Sequence, residues 1–154
     1  MGRLDAVDRQ LLSALAADPR ATVVALAERL GMSRNTVQAR MARLDREGAF
    51  LSFDRAIDPE ALGYPLQAFI AVHVRQKRLA EVVETVAEIP EVVQAHGLSG
   101  SVDLLVRVVC TDAHDLFRID GLILAIDGVE RTETSLAMGE LIPYRLGPLL
   151  ERDD

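Results

Sequence analysis

Between Ser33 and Gly48 runs Ser-Arg-Asn-Thr-Val-Gln-Ala-Arg-Met-Ala-Arg-Leu-Asp-Arg-Glu-Gly, a set of side chains suited to one kind of chemistry, the holding and reading of a polyanion. Asparagine and glutamine can pair bidentately with adenine and arginine with guanine, while arginine and hydroxyl groups can hold phosphate oxygens. Arg34, Asn35 and Gln38 stand at the start of the run, where base-reading side chains reach furthest. Ser33, Thr36, Arg40, Arg43 and Arg46 are placed as backbone clamps, and the small Ala39 and Ala42 permit close approach or contact with thymine methyls. Two other readings compete: the arginine face is simply solvated, or Arg40 and Arg46 pair with nearby Asp45 or Glu47.

The segment must be helical to act in this way, and its ends say that it is. Ser33 can accept a bond from a first-turn amide and Gly48 can take a left-handed stop, which predicts a capped helix over 33–47. Val37, Met41 and Leu44 recur at i, i+4 and i+7 as its buried stripe. Residues 22–30 predict a shorter helix with Val24, Leu26, Ala27 and Leu30 apolar, and Gly31-Met32-Ser33 is the turn between the two. Helix, short glycine turn and basic helix form the helix-turn-helix arrangement. A helix over 4–17, closed by Asp18-Pro19, completes a three-helix core. After Gly48, Ala49-Phe50-Leu51-Ser52-Phe53-Asp54 reads as a short strand or wing.

The chain has 154 residues and a net charge of −7, which at first opposes nucleic-acid binding. The charge is unevenly spread: residues 1–50 hold eight arginines against six acids, whereas 61–154 hold eight Lys and Arg against fifteen acids. A mildly basic module joined to an acidic one fits one part for polyanion and another for a different task. Nearly half the residues are hydrophobic, so the chain folds. No apolar run approaches the roughly 20 residues that span a bilayer, and the first residues do not read as a signal peptide, so no membrane partner and a cytoplasmic location are expected. Enzyme chemistry finds no support. His73, His96 and His114 lack metal spacing, no phosphate loop of the Gly-x-x-x-x-Gly-Lys type occurs, and Cys110 falls in the middle of an apolar strand pattern. No catalytic residue, metal or cofactor is expected.

Leu4-Asp5-x-x-Asp8-x-x-Leu11-Leu12-x-x-Leu15, Arg20, Leu26-Ala27, Gly31-Met32-Ser33-x-x-Thr36-Val37-x-x-Arg40-x-x-x-Leu44-x-x-x-Gly48 and Asp58-Pro59-x-x-Leu62-Gly63 together resemble the amino-terminal part of the Lrp/AsnC transcriptional regulators. The ordered series over about 60 residues carries the resemblance; no single element does. It implies a winged helix-turn-helix, a linker strand, and a ligand-sensing domain of βαββαβ order.

The second half can be read without it. Gln67–Val74 alternates as a strand, Leu79, Val82, Val83 and Val86 follow helical spacing, and Val92–Leu98 and Leu104–Cys110 read as two strands around Ser99-Gly100-Ser101. Leu116, Ile119, Ile123 and Ile126 mark another helix, and Val129–Leu136 a threonine-rich last strand. The order β-α-β-β-α-β is the ferredoxin-like unit, two helices on one face of a four-stranded antiparallel sheet. The predicted fold is therefore α+β: a winged helix-turn-helix domain at 1–52, a linker strand and hinge at 53–66, and a ferredoxin-like effector-sensing and oligomerisation domain at 67–154.

The third strand, apolar on both sides apart from Arg107, predicts a second sheet packed on the open face, and so a homodimer. The resemblance implies the same, and extends it to tetramers or octamers of dimers. It also marks Gly100-Ser101-Val102-Asp103 as similar to the family's Gly-x-x-Asp turn. There, glycine-turn amides suit a carboxylate and Asp103 an ammonium, as a free amino acid would need, with Thr132, Thr134 and Ser135 adding hydroxyls. The other reading is that Gly100 and Asp103 only make the hairpin turn. Many members carry an aromatic residue beside that Asp; Val102 and Leu104 flank it here. Apolar residues from Met138 to Leu150 suggest a segment that docks on a neighbouring subunit.

The function expected is a sequence-specific regulator acting on double-stranded DNA and modulated by an amino acid or similar small molecule. The competing function is a small-molecule-binding or subunit-docking module whose helical head binds protein.

Overall fold

The computed structural model describes residues 4–151. They divide into two compact units, one of residues up to Arg55 together with those from Ile142 on, the other Ala56–Leu141.

The first unit is helical. Helices α1 (Ala6–Ala17), α2 (Val23–Leu30) and α3 (Arg34–Arg46) each begin at an oxygen-bearing cap, since Asp5, Thr22 and Ser33 accept bonds from Asp8, Ala25 and Thr36 N–H respectively. Leu11, Ala14, Leu26, Ala27, Val37 and Leu44 form the buried core, so the apolar stripes of all three helices point inward. Gly31 turns the chain between α2 and α3 with φ of 64°, a conformation that a Cβ penalises.

The wing expected at 49–54 is absent. The chain there has no strand among the described residues and makes a 3-10 turn at Phe53–Ala56. A strand needs a ladder partner, and this all-helical unit supplies none. The alternation reads the extended character correctly but cannot supply the neighbour. The linker at 53–66 likewise holds no strand before Leu66; a second 3-10 turn, Pro59–Leu62, is capped by Asp58, which accepts from Glu60 N–H at 3.0 Å.

The segment 142–154 was expected in the second domain, docked on a neighbouring subunit. Its described part, 142–151, clusters with the helical unit of its own chain. A short helix α6 (Gly147–Leu150), with Pro148 in its first turn, lies by α1, and Arg9 Nη1 donates to the Leu149 carbonyl at 3.2 Å. Proline fixes the first helical turn there, and an α1 cation meets the free carbonyls at the end of that turn.

The second unit runs β1 (Leu66–Val74), α4 (Leu79–Ala87), β2 (Val92–Gly97), β3 (Leu104–Cys110), α5 (Ala113–Leu124), β4 (Val129–Leu136). The strands order β2-β3-β1-β4, all antiparallel neighbours, which is the ferredoxin-like sheet. Alternation sorts its faces. Ala68, Ile70, Val72, Leu104, Val106, Val108 and Cys110 are buried together with Val82, Val86, Ile119 and Ile123 of the helices. Phe69, Ala71, His73, Leu105 and Arg107 fall on the other face by the same alternation. That face is more polar than the sequence suggested. Arg107 donates to Gln67 Oε1 at 2.6 Å, and Arg131 lies 2.8 Å from Glu133 and 2.9 Å from His73 Nε2 beside β1.

Candidate nucleic-acid interface and effector end

Ser33 positions the start of α3. Its hydroxyl oxygen accepts from Thr36 N–H at 3.1 Å and lies 2.8 Å from the Thr36 hydroxyl, so the two hydroxyls expected to clamp phosphate also fix the first turn. Val37 and Leu44 are wholly buried below it. With 100° per residue, Asn35, Gln38, Ala39, Ala42 and Arg46 point away from that core, Arg34 lies on one flank, and Thr36, Arg40 and Arg43 on the other. Arg34, Asn35, Gln38, Ala39, Ala42 and Arg46 are exposed. An open concavity of about 660 Å³ runs along this side, lined by Asn35, Thr36, Ala39 and Arg46 and bounded by Arg40, Arg43 and Asp8.

Arg40 and Arg43 are half-buried and already partnered. Arg40 Nη1 donates to Asp5 Oδ2 and Asp8 Oδ1, both at 2.7 Å, and Arg43 Nη2 donates to both oxygens of Asp8 at 2.6 Å. Arg43 also lies 3.6 Å from Glu47. Asp8 Oδ2 accepts from the Asp5 amide in return for the bond that Asp5 takes from Asp8 N–H, a reciprocal capping box. The Asp8 side chain is 1% exposed. Burial pushes its carboxyl up, but hydrogen bonds from Arg43, Arg40 and the Asp5 amide outweigh that and hold it at about 2. Bonds from Arg40 and from the Asp8 amide likewise hold the Asp5 carboxyl below its ordinary value.

Pairing of arginines within the domain therefore occurs, though not as the sequence suggested. The hydrogen-bonded partners are Asp5 and Asp8, more than thirty residues away, Glu47 lies beside Arg43 and not beside Arg40 or Arg46, and Arg34 and Arg46 make no hydrogen bond or ion pair among the described residues. The signal that could have found Asp5 and Asp8 is their spacing of three at a helix start, together with an acid set in the apolar stripe beside Leu11.

At the effector end, Asp103 has work within its own unit. Its Oδ2 accepts from Val74 N–H at 2.8 Å and its Oδ1 from the Gln76 side-chain amide. Its own backbone bonds Val72 O and Leu98 N, tying the turn to β1 and to the end of β2. Gly100 and Ser101 are exposed and Val102 is half-buried. Val72 pairs with Leu104 on one side and Thr132 on the other, so Thr132 shares a row with the end of this turn, two strand spacings or about 10 Å across the sheet. Thr134 donates its hydroxyl to Asp120 at 2.6 Å, toward α5. Ser135 pairs with Phe69 and points to the opposite face. The three hydroxyls do not converge.

A helix-turn-helix whose second helix offers a polar, arginine-flanked side to solvent, in one chain with a separate βαββαβ unit, defines a DNA-binding transcriptional regulator with a regulatory half. Residues 4–45 match the AsnC-type helix-turn-helix domain and residues 67–146 the Lrp/AsnC ligand binding domain. The chain is 32% identical over 135 residues to an HTH-type transcriptional regulator of Pyrococcus horikoshii, covering 88% of this chain and 89% of that one. It superposes on E. coli AsnC with a TM-score of 0.85 over 96% of this chain and all of the other; at 24% identity that likeness shows the fold. It superposes on a feast or famine regulatory protein from M. tuberculosis, complexed with L-methionine, with a TM-score of 0.83, 30% identity, and 93% and 97% of the two chains covered.

The chain belongs to the Lrp/AsnC family, and it is a transcriptional regulator, not an enzyme. Among the described residues no group of three or more His, Cys, Asp or Glu is arranged for a metal, and no helix is long and apolar enough to cross a membrane.

Proposed function

We propose that this regulator reads duplex DNA through the outward side of α3, as a homodimer joined through the open sheet faces, and that an amino acid bound near the Gly100–Asp103 turn modulates it. The observation that carries the reading is the exposed side of α3, where Asn35, Gln38 and Arg46 face solvent and Asn35, Ala39 and Arg46 line an open concavity. Asn35 and Gln38 offer bidentate pairing to adenine edges, Arg34 pairs with guanine, and Arg46 with the Ser33 and Thr36 hydroxyls holds the backbone.

The half-buried Ala71 and Leu105 on the open sheet face support a dimer, because an apolar centre ringed by charge is what a self-complementary interface buries. Such a dimer sets two recognition helices on half-sites about 10 base pairs apart or a multiple of that. The effector reading is supported by the exposure of Gly100 and Ser101 and by the L-methionine complex of the M. tuberculosis relative. Asp103 would share its carboxylate between the ligand's ammonium and the Val74 amide. Thr132 is the hydroxyl nearest in register.

Selection of bound duplexes from random DNA, repeated with each amino acid present, tests the whole reading. The expected result is an enriched repeated half-site whose occupancy one or a few amino acids shift. No enriched half-site under any condition overturns it.

A further inference from the structure

We propose that Asp8 is a positioning residue for DNA recognition: with Asp5 it holds Arg40 and Arg43 against α1, fixing how α3 meets the duplex and keeping these two cations off the phosphates. The proposal rests on the reading of α3 given above and changes the roles within it. Phosphate neutralisation then falls to Arg34 and Arg46.

Geometry carries the proposal. Taking Asn35 as zero, Arg43 and Arg40 lie about 80° and 140° round the helix on the flank toward α1, Arg46 lies about 20° away and Arg34 about 100° round the other flank. Both oxygens of the buried Asp8 are filled by Arg40, Arg43 and the Asp5 amide. Moving either arginine to a phosphate would strip a cation from a carboxylate that is 1% exposed, and an uncompensated buried charge is strongly unfavourable. Two carboxylates and two guanidinium groups also cancel in net charge, so this quartet offers the duplex little field. Arg34 and Arg46 make no competing bond among the described residues and bracket the helix about 18 Å apart along its axis.

Salt dependence separates phosphate contact from positioning, because each phosphate neutralised contributes about 0.9 to the slope of log K against log salt. The wild type, R40Q/R43Q, R34Q/R46Q and D8N are titrated with the duplex enriched from random DNA and with a mixed-sequence duplex of equal length, over a sodium chloride series. R40Q/R43Q should keep the wild-type slope but lose tenfold or more of its preference for the enriched duplex. R34Q/R46Q should flatten the slope by about 1.8. D8N, which leaves Arg40 only the exposed Asp5 and Arg43 only Glu47 at 3.6 Å, should steepen it.

The preference ratio is unaffected by a smaller folded fraction, so a merely structural role does not imitate the result. Where R40Q/R43Q does not melt cooperatively, R40Q and R43Q singly, each leaving one arginine on Asp8, make the same comparison. A slope that flattens in R40Q/R43Q as much as in R34Q/R46Q overturns the proposal. A wild-type protein that enriches no half-site overturns the reading of α3 itself, and the proposal with it.

Discussion

At the scale of single residues, Asp8 shows how one carboxylate can cap a helix and dock another. Its carboxyl stands near 2 in the folded chain against 3.8 as an ordinary aspartate, so it is harder to protonate folded than unfolded. Stability from the clamp is therefore complete above about pH 4 and is lost as the pH falls through about 2, a contribution on the order of 2 kcal/mol. Urea unfolding of wild type and D8N at pH 6 and pH 3 should show D8N less stable at pH 6 and the gap narrowing at pH 3; an unchanged gap would contradict the assignment. The clamp was invisible to local reading because its arginines are more than thirty residues from its acids, and helical spacing reports only neighbours within two turns. The Ser33 cap and the outward placement of Arg34, Asn35 and Gln38, by contrast, were legible, since a cap and the first turn behind it are set by adjacent residues.

At the scale of elements, stripes and caps located α1, α2 and α3, though not α6, and the βαββαβ series of the second unit, because burial of one face writes a period of 3.6 or 2 into the chain. What failed was the wing, whose alternation is genuine but whose partner is not encoded beside it. Phe53 is left 79% exposed there. The hydroxyls of β4 failed as a group for a related reason: Thr134 and Ser135 are adjacent, so they must face opposite sides of the sheet. Turn glycines make a further comparison. Gly128, with φ of 108°, would place a Cβ 2.7 Å from Arg78 Cβ and 3.0 Å from Val82 Cγ2, whereas Gly100, with φ of 130°, has open space. Gly128→Ala should cost more than 2 kcal/mol, combining strain with overpacking, and Gly100→Ala about 1 kcal/mol from strain alone, as read by chemical denaturation. Equal costs would remove the packing role of Gly128.

For the whole molecule, the contrast between a near-neutral helical unit and an acidic sheet unit was readable from charge positions alone. The allegiance of 142–151 was not, because it depends on a contact with α1 that no periodicity announces. The sheet's open face bears on assembly. Leu105→Glu sets a charge among half-buried apolar residues on that face and away from the core, so it should convert the proposed dimer to monomers in sedimentation while circular dichroism is retained. A dimer that survives this change would place the interface elsewhere. Sedimentation with and without amino acids also reports whether dimers assemble further.

The central claim is that the outward side of α3 reads DNA, and the affinity ratio of Asn35→Ala/Gln38→Ala tests it most directly. Both side chains are exposed, so the fold should melt as wild type. The ratio of affinities for the enriched and the mixed-sequence duplex should collapse, since each bidentate base contact contributes about 1–3 kcal/mol of discrimination, while the salt slope stays unchanged. A variant that keeps the wild-type preference would contradict the account.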